Sequence, residues 1–315
     1  MAPGANIVFV GAPNNFRDLD AALNHTIDRG LAQIITNSYG YPTELIQPGF
    51  VKPINDSLIQ AAIQGIGVYF SSGDDGDEIE NIGIRSVDWP AASPWVTAVG
   101  GTTLAVTGGN NYLFETGWGT KKSILSGSDW SPTPPGDFVY ASGGGTSRIF
   151  PQPSYQVGVV PGAISGYFGG NGRAVPDVAM VGDPNSGMLE GQTQTFPDGS
   201  VQYSEYRIGG TSLSSPLFAG LMALADQQAG FHHGFANPAL YALSGSNAYR
   251  DIVDPASTVA VVRVDYNNSV DAADGTTTSL RTANQTGTLH TIAGYDDVTG
   301  LGSPVGAALI SLLSQ

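Results

Sequence analysis

Residues 207–220 read RIGGTSLSSPLFAG, a Gly-Gly-Thr-Ser turn that runs into a segment of helical pattern, with a proline four residues after Ser212. The small residues before Ser212 let the backbone approach a substrate, and the N-terminus of the following helix carries a favourable positive dipole end. A nucleophilic serine also needs a base within hydrogen-bond reach and donors for the developing oxyanion. Glycine and serine at a helix start are equally typical of a simple cap. From this stretch alone, Ser212 is a candidate nucleophile, and a role as a simple helix cap remains the alternative.

Apolar segments of strand length alternate with segments of helical periodicity upstream of this stretch. The predicted strands are residues 5–12, 32–40, 68–76 and 95–104, and the predicted helices are residues 16–30 and 56–67. A strongly apolar helix is predicted at residues 216–230 and a short final one at residues 304–315. The Gly-, Ser-, Pro- and Trp-rich sequence from 107 to 160 indicates surface loops with short strands. The alternation predicts right-handed βαβ units with a parallel sheet, in one domain spanning residues 1–315.

Charge and cysteine content exclude several classes of function. The chain of 315 residues carries 12 basic and 27 acidic side chains, a net charge of -15. Such a surface repels nucleic acid and anionic membranes, so we expect neither as a partner. It suits acid surroundings, because carboxylates lose their charge near pH 4. The absence of cysteine excludes a disulfide scaffold, a thiolate zinc site and a cysteine nucleophile.

Further blocks follow one another along nearly the whole chain, among them APGANIVFVGAPN, ITNSYG, SSGDDG, WPAASPWVTAVGGTTL, SGGGTSRIFPQPSYQ, RAVPDVAM and DDVTGLGSP. Together with GGTSLSSPLFAG, they resemble the sedolisin (serine-carboxyl) peptidases, relatives of the subtilisins with a Gly-Thr-Ser-x-x-x-Pro signature. The resemblance implies a subtilisin-like α/β fold with a mostly parallel central sheet flanked by helices, and it implies that Ser212 is the nucleophile. It also implies an extracellular, monomeric endopeptidase that is made with a propeptide and cleaves polypeptide at acid pH.

The chemistry explains why a carboxylate can replace a histidine base in such an enzyme. An imidazole with a pKa of about 6.5 is protonated in acid and cannot accept the serine proton, whereas a glutamate of about 4.3 still can. In sedolisins a Glu bonds the serine, an Asp supports that Glu, and a further, protonated Asp donates to the oxyanion. The resemblance gives this last role to Asp74 in SSGDDG. From the local sequence alone, Asp74 could also be a turn aspartate.

The sequence departs from the family pattern at its beginning. The family's Glu and Asp base pair lies on a helix just before the APGAxI block, and here only Met1 precedes Ala2. The first acidic residues, Asp18 and Asp20, belong to the next predicted helix and are assigned no catalytic role. We therefore expect the N-terminal elements of the fold to be missing and the chain as given to have little activity. A binding module that keeps the cleft without the base is the alternative.

The four histidines bear on a second alternative, a subtilisin-type peptidase with a histidine base. His25 lies in a predicted helix, His232 and His233 follow the serine, and His290 lies near the C-terminus. None stands in the His-Gly-Thr block that subtilisins carry upstream of the serine. We expect all four to be surface or loop histidines, with no carboxylate at ligand spacing beside the pair.

Two glycine-containing stretches are predicted to edge the substrate cleft, by analogy with the family's binding of extended peptides. The first is NSYG at residues 37–40, with Ser38 and Gly40. The second is GGG at residues 143–145, with Gly143 and Gly144.

Two C-terminal segments, YRDIVD and TIAGYDDVTGLGSP, resemble the sedolisin calcium site. Calcium takes six to eight oxygen ligands, which carboxylates and backbone carbonyls supply. The resemblance predicts one Ca²⁺ ion, held by Asp251, Ile252, Ile292, Gly294 and Asp296. The family's first glycine is replaced by Ile292, which matters little if only its carbonyl binds. The residues by themselves are also compatible with two turn aspartates in an acidic protein.

Overall fold

The computed structural model describes residues 1–196 and 198–315. Its strands are β1 (Ile34–Asn37), β2 (Gly67–Ser71), β3 (Thr97–Val106), β4 (Tyr112–Gly117), β5 (Gly119–Ser126), β6 (Asp129–Ser131), β7 (Asp137–Ala141), β8 (Gly145–Pro151), β9 (Gly172–Val175), β10 (Val178–Val181), β11 (Met188–Thr195), β12 (Val201–Ile208), β13 (Tyr249–Arg250), β14 (Ala260–Tyr266), β15 (Thr276–Thr282) and β16 (Ser303–Pro304). Its helices are α1 (Phe16–Asp28), α2 (Pro48–Ile63), α3 (Ile79–Ile82), α4 (Gly162–Ser165), α5 (Thr211–Ala229), α6 (Asn237–Ala242) and α7 (Gly306–Leu313), with short 3₁₀ turns at Ser154–Gln156 and Ala272–Asp274.

A parallel sheet with the strand order β1-β2-β3-β10 forms the centre of the molecule, and β4 joins β3 in antiparallel orientation. Successive residues of β2 point into different cores. Val68 and Phe70 pack with α1 and α2, whereas Tyr69 packs with α5. Burial of both faces explains the continuous apolar run of this strand. The prediction of a parallel sheet flanked by helices is confirmed.

Helix α5 crosses one face of the sheet and carries the candidate nucleophile in its first turn. It begins at Thr211, five residues before the predicted start, and ends at Ala229, where Gly230 caps it with a φ of 77° that suits glycine. Buried Phe218, Met222 and Ala225 dock it on the sheet. The predicted start at Pro216 was wrong because a proline in the second turn does not prevent a helix from beginning earlier.

The predicted first strand, residues 5–12, is not a strand in the structure. Ile7 and Phe9 are 90% and 91% exposed, and no described strand pairs with this segment. An apolar run becomes a strand only when a neighbour satisfies its backbone groups.

Antiparallel strands supply the remaining sheets. The order β14-β15-β5-β6, with β7 beside β5, makes a second five-stranded sheet, and β11 pairs with β12 in a long hairpin that leads directly into α5. The short strands predicted between residues 107 and 160 are therefore present, whereas the hairpin of β14 and β15 was not predicted. No helix in the described part of the chain is both long and apolar enough to cross a membrane.

Candidate active site

Ser212 is exposed in the first turn of α5, and its backbone carbonyl has an unusual partner. Pro216 has no N–H, so it cannot donate the helical hydrogen bond to the Ser212 carbonyl four residues earlier. The Ser38 hydroxyl donates to that carbonyl instead, at 3.1 Å. Ser38 of the NSYG stretch thus supplies the hydrogen bond that Pro216 cannot, and the structure places Ser38 beside the candidate nucleophile.

Asp74 follows β2 and lies against the residue that precedes Ser212. Its Oδ1 accepts hydrogen bonds from the backbone N–H of Thr211 at 2.7 Å and from the Thr211 hydroxyl at 2.9 Å. Gly210 passes so close that a Cβ there would lie 2.8 Å from Asp74 Oδ2, and its φ of 85° also suits glycine. The Gly-Gly-Thr-Ser turn therefore packs around the Asp74 carboxyl group. The hydrogen bond between Thr211 and Asp74 joins residues that are 137 positions apart in the chain.

The environment of Asp74 favours its protonated form. Burial raises the pKa of this carboxyl above its ordinary value, the two hydrogen bonds from Thr211 oppose that rise, and the charge of Asp75 adds to it. Thr211 uses Oδ1 only, so the hydrogen bonds to Thr211 do not require Oδ2 to be ionised. A protonated Asp74 beside the start of α5 can donate a hydrogen bond to a developing oxyanion.

Gly143 and Gly144 are buried and pack against backbone. The Gly143 N–H donates to the Gly73 carbonyl at 2.8 Å, and a Cβ on Gly143 would meet the Ser72 carbonyl at 2.2 Å. A Cβ on Gly144 would meet the Asp297 carbonyl at 2.0 Å. Close packing against the loop that carries Asp74 thus explains Gly143, and packing against the Asp297 carbonyl explains Gly144. The contact of both with substrate stays a prediction.

Gly40 is half-buried and also lies close to backbone. A Cβ on this residue would approach the Trp89 carbonyl to 2.9 Å. The main chain of Tyr41 exchanges hydrogen bonds with that of Trp89, which fixes the end of the NSYG stretch. Substrate binding at Gly40 remains a prediction.

The histidines do not reach the candidate nucleophile in the described part of the chain. His232 and His233 both contact Asp226, at 3.1 Å and 2.6 Å, and the His233 side chain is only 7% exposed. The expectation that the pair has no nearby carboxylate was therefore wrong. Asp226 lies fourteen residues after Ser212 on α5, about 21 Å along a helix axis. His25 and His290 are exposed. This geometry gives no support to a histidine base.

Asp20 is a half-buried carboxyl group that the sequence reasoning set aside. Burial raises the pKa of Asp20 to about 6. The negative charge of Asp20 in turn contributes to the raised pKa of Tyr39 and Tyr41, at the end of the NSYG stretch. Asp18 instead accepts the Asn15 amide at the start of α1. Within residues 1–196 and 198–315, no carboxylate hydrogen-bonds to the Ser212 hydroxyl, so neither aspartate is placed as its base.

The two segments of the predicted calcium site lie together. Both carboxylate oxygens of exposed Asp251 accept the Gly294 N–H at 3.1 Å. Asp296 is fully buried and accepts hydrogen bonds from the backbone of Val298 and Thr299, and burial raises its pKa to about 8. The described residues contain no cluster of three or more His, Cys, Asp or Glu side chains that could hold a metal. The donor set thus fits in part: Asp251 is accessible, whereas the Asp296 carboxylate faces its own turn.

Comparisons with known proteins decide the family. The subtilase family model (Peptidase_S8) matches residues 1–238. Kumamolisin from Bacillus sp. (strain MN-32) is 33% identical over 325 residues, which cover 99% of this chain and 48% of kumamolisin. A solved structure of Pseudomonas sedolisin (serine-carboxyl proteinase), complexed with two molecules of pseudo-iodotyrostatin, is 28% identical with a TM-score of 0.67, and it covers 95% of this chain and 69% of that one. The chain belongs to the sedolisin branch of the subtilase family.

More distant relatives of this sedolisin-family chain include tripeptidyl-peptidase 1 from Homo sapiens, which is 29% identical over 237 residues. That match covers 70% of this chain and 36% of the relative. The chain therefore spans about half of kumamolisin and about a third of tripeptidyl-peptidase 1. Family membership confirms the resemblance read from the sequence and the subtilisin-like fold, and it supports a serine peptidase.

Sequence reasoning had not singled out Thr211 as the residue that holds Asp74, although Thr211 stands in the Gly-Thr-Ser signature itself. It also missed Glu78 and Asp88, whose side chains lie next to the Asp74 loop. No local pattern marks Asp88, because its proximity to Gly73 arises only in the folded chain.

Proposed function

We propose that this chain carries the nucleophile and the oxyanion donor of a serine-type endopeptidase that cleaves extended or denatured polypeptide at acid pH. The observation that carries the proposal is the contact between Asp74 and Thr211, which sets a carboxyl group of raised pKa beside Ser212. An oxyanion donor must be protonated, and this environment favours that form at acid pH.

Each residue has a defined step in the proposed reaction. The Ser212 Oγ attacks the carbonyl carbon of the scissile bond, and the bond from this carbon to the amide nitrogen breaks after the tetrahedral intermediate forms. Protonated Asp74 donates to the oxyanion of that intermediate. The proton of Ser212 passes to the Glu of a Glu–Asp pair that the family resemblance expects upstream of Ala2, and from this Glu to the nitrogen of the departing amine. A water molecule then hydrolyses the acyl-enzyme.

The surroundings of the enzyme are part of the same proposal. We take it to act outside the cell as a monomer, with polypeptide as substrate, and to be made with a propeptide. The net charge of -15 supports an acid setting, since self-repulsion falls as carboxylates are protonated.

Binding of a peptide aldehyde tests the proposed site without requiring turnover. The aldehyde carbon forms a hemiacetal with a nucleophilic serine, so at 100 times its Kd it should raise the free energy of unfolding by about 2.7 kcal/mol at pH 4. Ser212→Ala should weaken this binding strongly. The measurement is a thermal or urea unfolding curve with and without the aldehyde.

The corresponding peptide alcohol serves as the control ligand, because it fills the same cleft but cannot form the hemiacetal. Equal binding of alcohol and aldehyde, unchanged by Ser212→Ala, would contradict a nucleophilic role. Such a result, together with no cleavage of denatured protein at pH 4, would favour the binding module. Loss of cleavage in His25→Ala or His233→Ala, with folding intact, would instead favour a histidine base.

We further propose one Ca²⁺ ion at the C-terminal loops, held by the carboxylates of Asp251 and Asp296 and by the carbonyls of Ile252, Ile292 and Gly294. Support comes from the accessible Asp251 carboxylate and its contact with Gly294, which joins the two segments. All of these donors are oxygens, as Ca²⁺ prefers. The ion would hold the two loops together and take no part in the chemistry at Ser212.

Calcium should therefore stabilise the fold. At 100 times its Kd the ion should add about 2.7 kcal/mol to the free energy of unfolding, because it binds the native state alone. The measurement compares thermal melts in Ca²⁺ and in EDTA. Asp251→Ala should abolish the difference, and Asp274→Ala, an exposed acidic residue in the 3₁₀ turn, should keep it. If Ca²⁺ raises the melting temperature of Asp251→Ala as much as that of the wild type, the proposed calcium site is wrong.

A further inference from the structure

Two carboxyl groups that the proposed mechanism does not use meet beside the Asp74 loop. Glu78 follows this loop in the chain and is 1% exposed, and Asp88 comes from the next loop. The two side chains are near enough to shift each other's pKa: Glu78 raises that of Asp88, and Asp88 lowers that of Glu78. Within the described residues, Glu78 Oε1 and Asp88 Oδ1 are both buried and find no donor. Two buried carboxylate oxygens without a donor repel each other, and one proton between them converts that repulsion into a hydrogen bond.

Other contacts hold Glu78 in place and leave its Oε1 unused. Glu78 Oε2 accepts the Asn81 side-chain amide at 2.9 Å, and the Glu78 N–H donates to the Asp75 carbonyl at 3.1 Å. Glu78 has a φ of 66°, a left-handed conformation that is uncommon for glutamate and fixes the turn. Glu78 is therefore held in a fixed turn while its Oε1 stays without a donor.

Asp88 lies directly on the residue that precedes Asp74. A Cβ on Gly73 would come within 2.6 Å of Asp88 Oδ2 and 2.9 Å of Oδ1, and Gly73 has a φ of 110°. The Asp88 carboxyl therefore packs against the Gly73 backbone, one residue before Asp74. The same loop is tied to β7, since the Ala141 N–H donates to the Asp74 carbonyl at 2.8 Å.

The neighbouring negative charges oppose ionisation of the pair. Burial raises the pKa of Asp88 well above its ordinary value, and the negative charges of Glu78, Asp74 and Asp75 raise it further. Burial also raises the pKa of Glu78, with smaller contributions from Asp75 and Asp77, while hydrogen bonds from Asp88 and Asn81 lower it. Arg85, three residues before Asp88, donates to Asp297 and Thr288 instead.

We propose that Glu78 and Asp88 share one proton, and that this shared proton positions the Asp74 loop. The proposal rests on the proposed function only in so far as Asp74 is the oxyanion donor. When pH rises and the proton leaves, two buried carboxylates face each other, the pair separates, and the loop at Gly73 loses its fixed position. Glu78 and Asp88 are thus positioning residues, and they confine an ordered Asp74 to acid conditions.

Hydrogen exchange across pH tests the pair. In the wild type, protection of the amides of residues 73–78, corrected for the intrinsic pH dependence of exchange, should fall about tenfold or more between pH 5 and pH 8, the equivalent of one pKa unit. Glu78→Gln and Asp88→Asn place an amide donor against the remaining carboxylate, so protection should change little over this range. Glu80→Gln, on exposed α3 beside the pair, is the matched control and should behave as wild type.

Infrared spectroscopy supplies a second measurement, because the absorption of protonated carboxyl groups changes only if the pair holds a proton and not if the two side chains merely pack together. At pH 6 the absorption of protonated carboxyl groups should be weaker in Glu78→Gln and in Asp88→Asn than in the wild type and in Glu80→Gln. Unchanged absorption, or the same pH dependence of exchange in Glu78→Gln and wild type, would overturn the shared proton.

Peptide aldehyde binding separates this proposal from the proposed function. If Asp74 is the oxyanion donor, Glu78→Gln should keep its aldehyde affinity to a higher pH than the wild type does. If exchange and infrared absorption behave as expected but no aldehyde binds at any pH, the pair stands and the peptidase function fails. If the aldehyde binds and the exchange of residues 73–78 is independent of pH, the function stands and the pair fails.

Discussion

Arg173→Met is expected to lower the free energy of unfolding by about 3–5 kcal/mol, the cost of leaving a buried charge without its partner. Arg173 and Asp177 are both fully buried, and the guanidinium donates to the two carboxylate oxygens at 2.9 Å and 2.7 Å. A planar fork that matches a carboxylate in this way cannot be replaced by an apolar chain of similar length.

The position of the pair explains the size of the expected effect. Arg173 also donates to the Ser93 carbonyl at 2.9 Å, and Asp177 accepts the Ala98 N–H at 2.8 Å and the Tyr241 hydroxyl at 2.8 Å. The pair thus ties β9 and β10 to the segment that leads into β3. In Arg173→Met the Asp177 carboxylate remains buried with two donors and no cation.

Urea unfolding of the wild type, Arg173→Met and Lys52→Met measures this difference. Lys52 forms an ion pair of the same i,i+4 spacing with Asp56, but both side chains are exposed, so its loss should cost only a few tenths of a kcal/mol. Arg173→Met combined with Asp177→Asn should recover part of the loss, since the buried charge is then gone. A cost for Arg173→Met no larger than that for Lys52→Met would contradict the role of the buried pair.

Periodic sequence predicted those parts of the fold that depend on local pattern. The continuous apolar run of Val68, Tyr69 and Phe70 marks a strand buried on both faces, and the helical spacing of Leu23 and Ile27 marks a helix buried on one. The parallel sheet and the helices around it could therefore be inferred before the structure. Residues 5–12 show the limit, because the same apolar pattern does not form a strand without a hydrogen-bonded neighbour.

Contacts across long sequence separations could not be predicted in this way. Asp74 and Thr211 are 137 residues apart, and only the family resemblance placed Asp74 at the same site as Ser212. The calcium segments were paired by the same resemblance. Nothing in the sequence around Asp88 indicates that its carboxyl lies against Gly73 and Glu78, since a buried pair of acids is a property of the folded loop.

Asp74→Ala is expected to lower kcat about 10²–10³-fold at pH 4, the usual effect of removing one oxyanion donor. The prediction applies to any form of this protein that cleaves denatured polypeptide at that pH. KM should change little, because the donor acts on the transition state rather than on bound substrate. The variant should still fold, since Asp74 is half-buried in a loop and water can reach the start of α5 when the carboxylate is gone.

Asp74→Asn tests whether the hydrogen-bond donor must be titratable, because asparagine can donate at any pH whereas Asp74 donates only when it is protonated. The asparagine can keep the acceptor for Thr211 and supplies a permanent N–H donor of nearly the same shape, so part of the activity should remain. Burial raises the pKa of Asp74, so wild-type activity should persist above the range of an ordinary aspartate and fall as pH rises through the raised pKa. The alkaline limb of the Asp74→Asn profile should lie at higher pH, provided that neither the base nor the Glu78–Asp88 pair sets it.

Asp75→Ala is the matched control for both variants, because Asp75 is the neighbouring acid and burial raises its pKa as well. Its side chain contacts Asn81 rather than Thr211, so its loss should leave kcat at pH 4 close to that of the wild type. The measurements are kcat and KM on a denatured protein substrate from pH 3 to pH 7 for all four proteins. If Asp74→Ala retains the wild-type kcat at pH 4, Asp74 is a turn residue that holds Thr211, and the oxyanion must be stabilised by other groups.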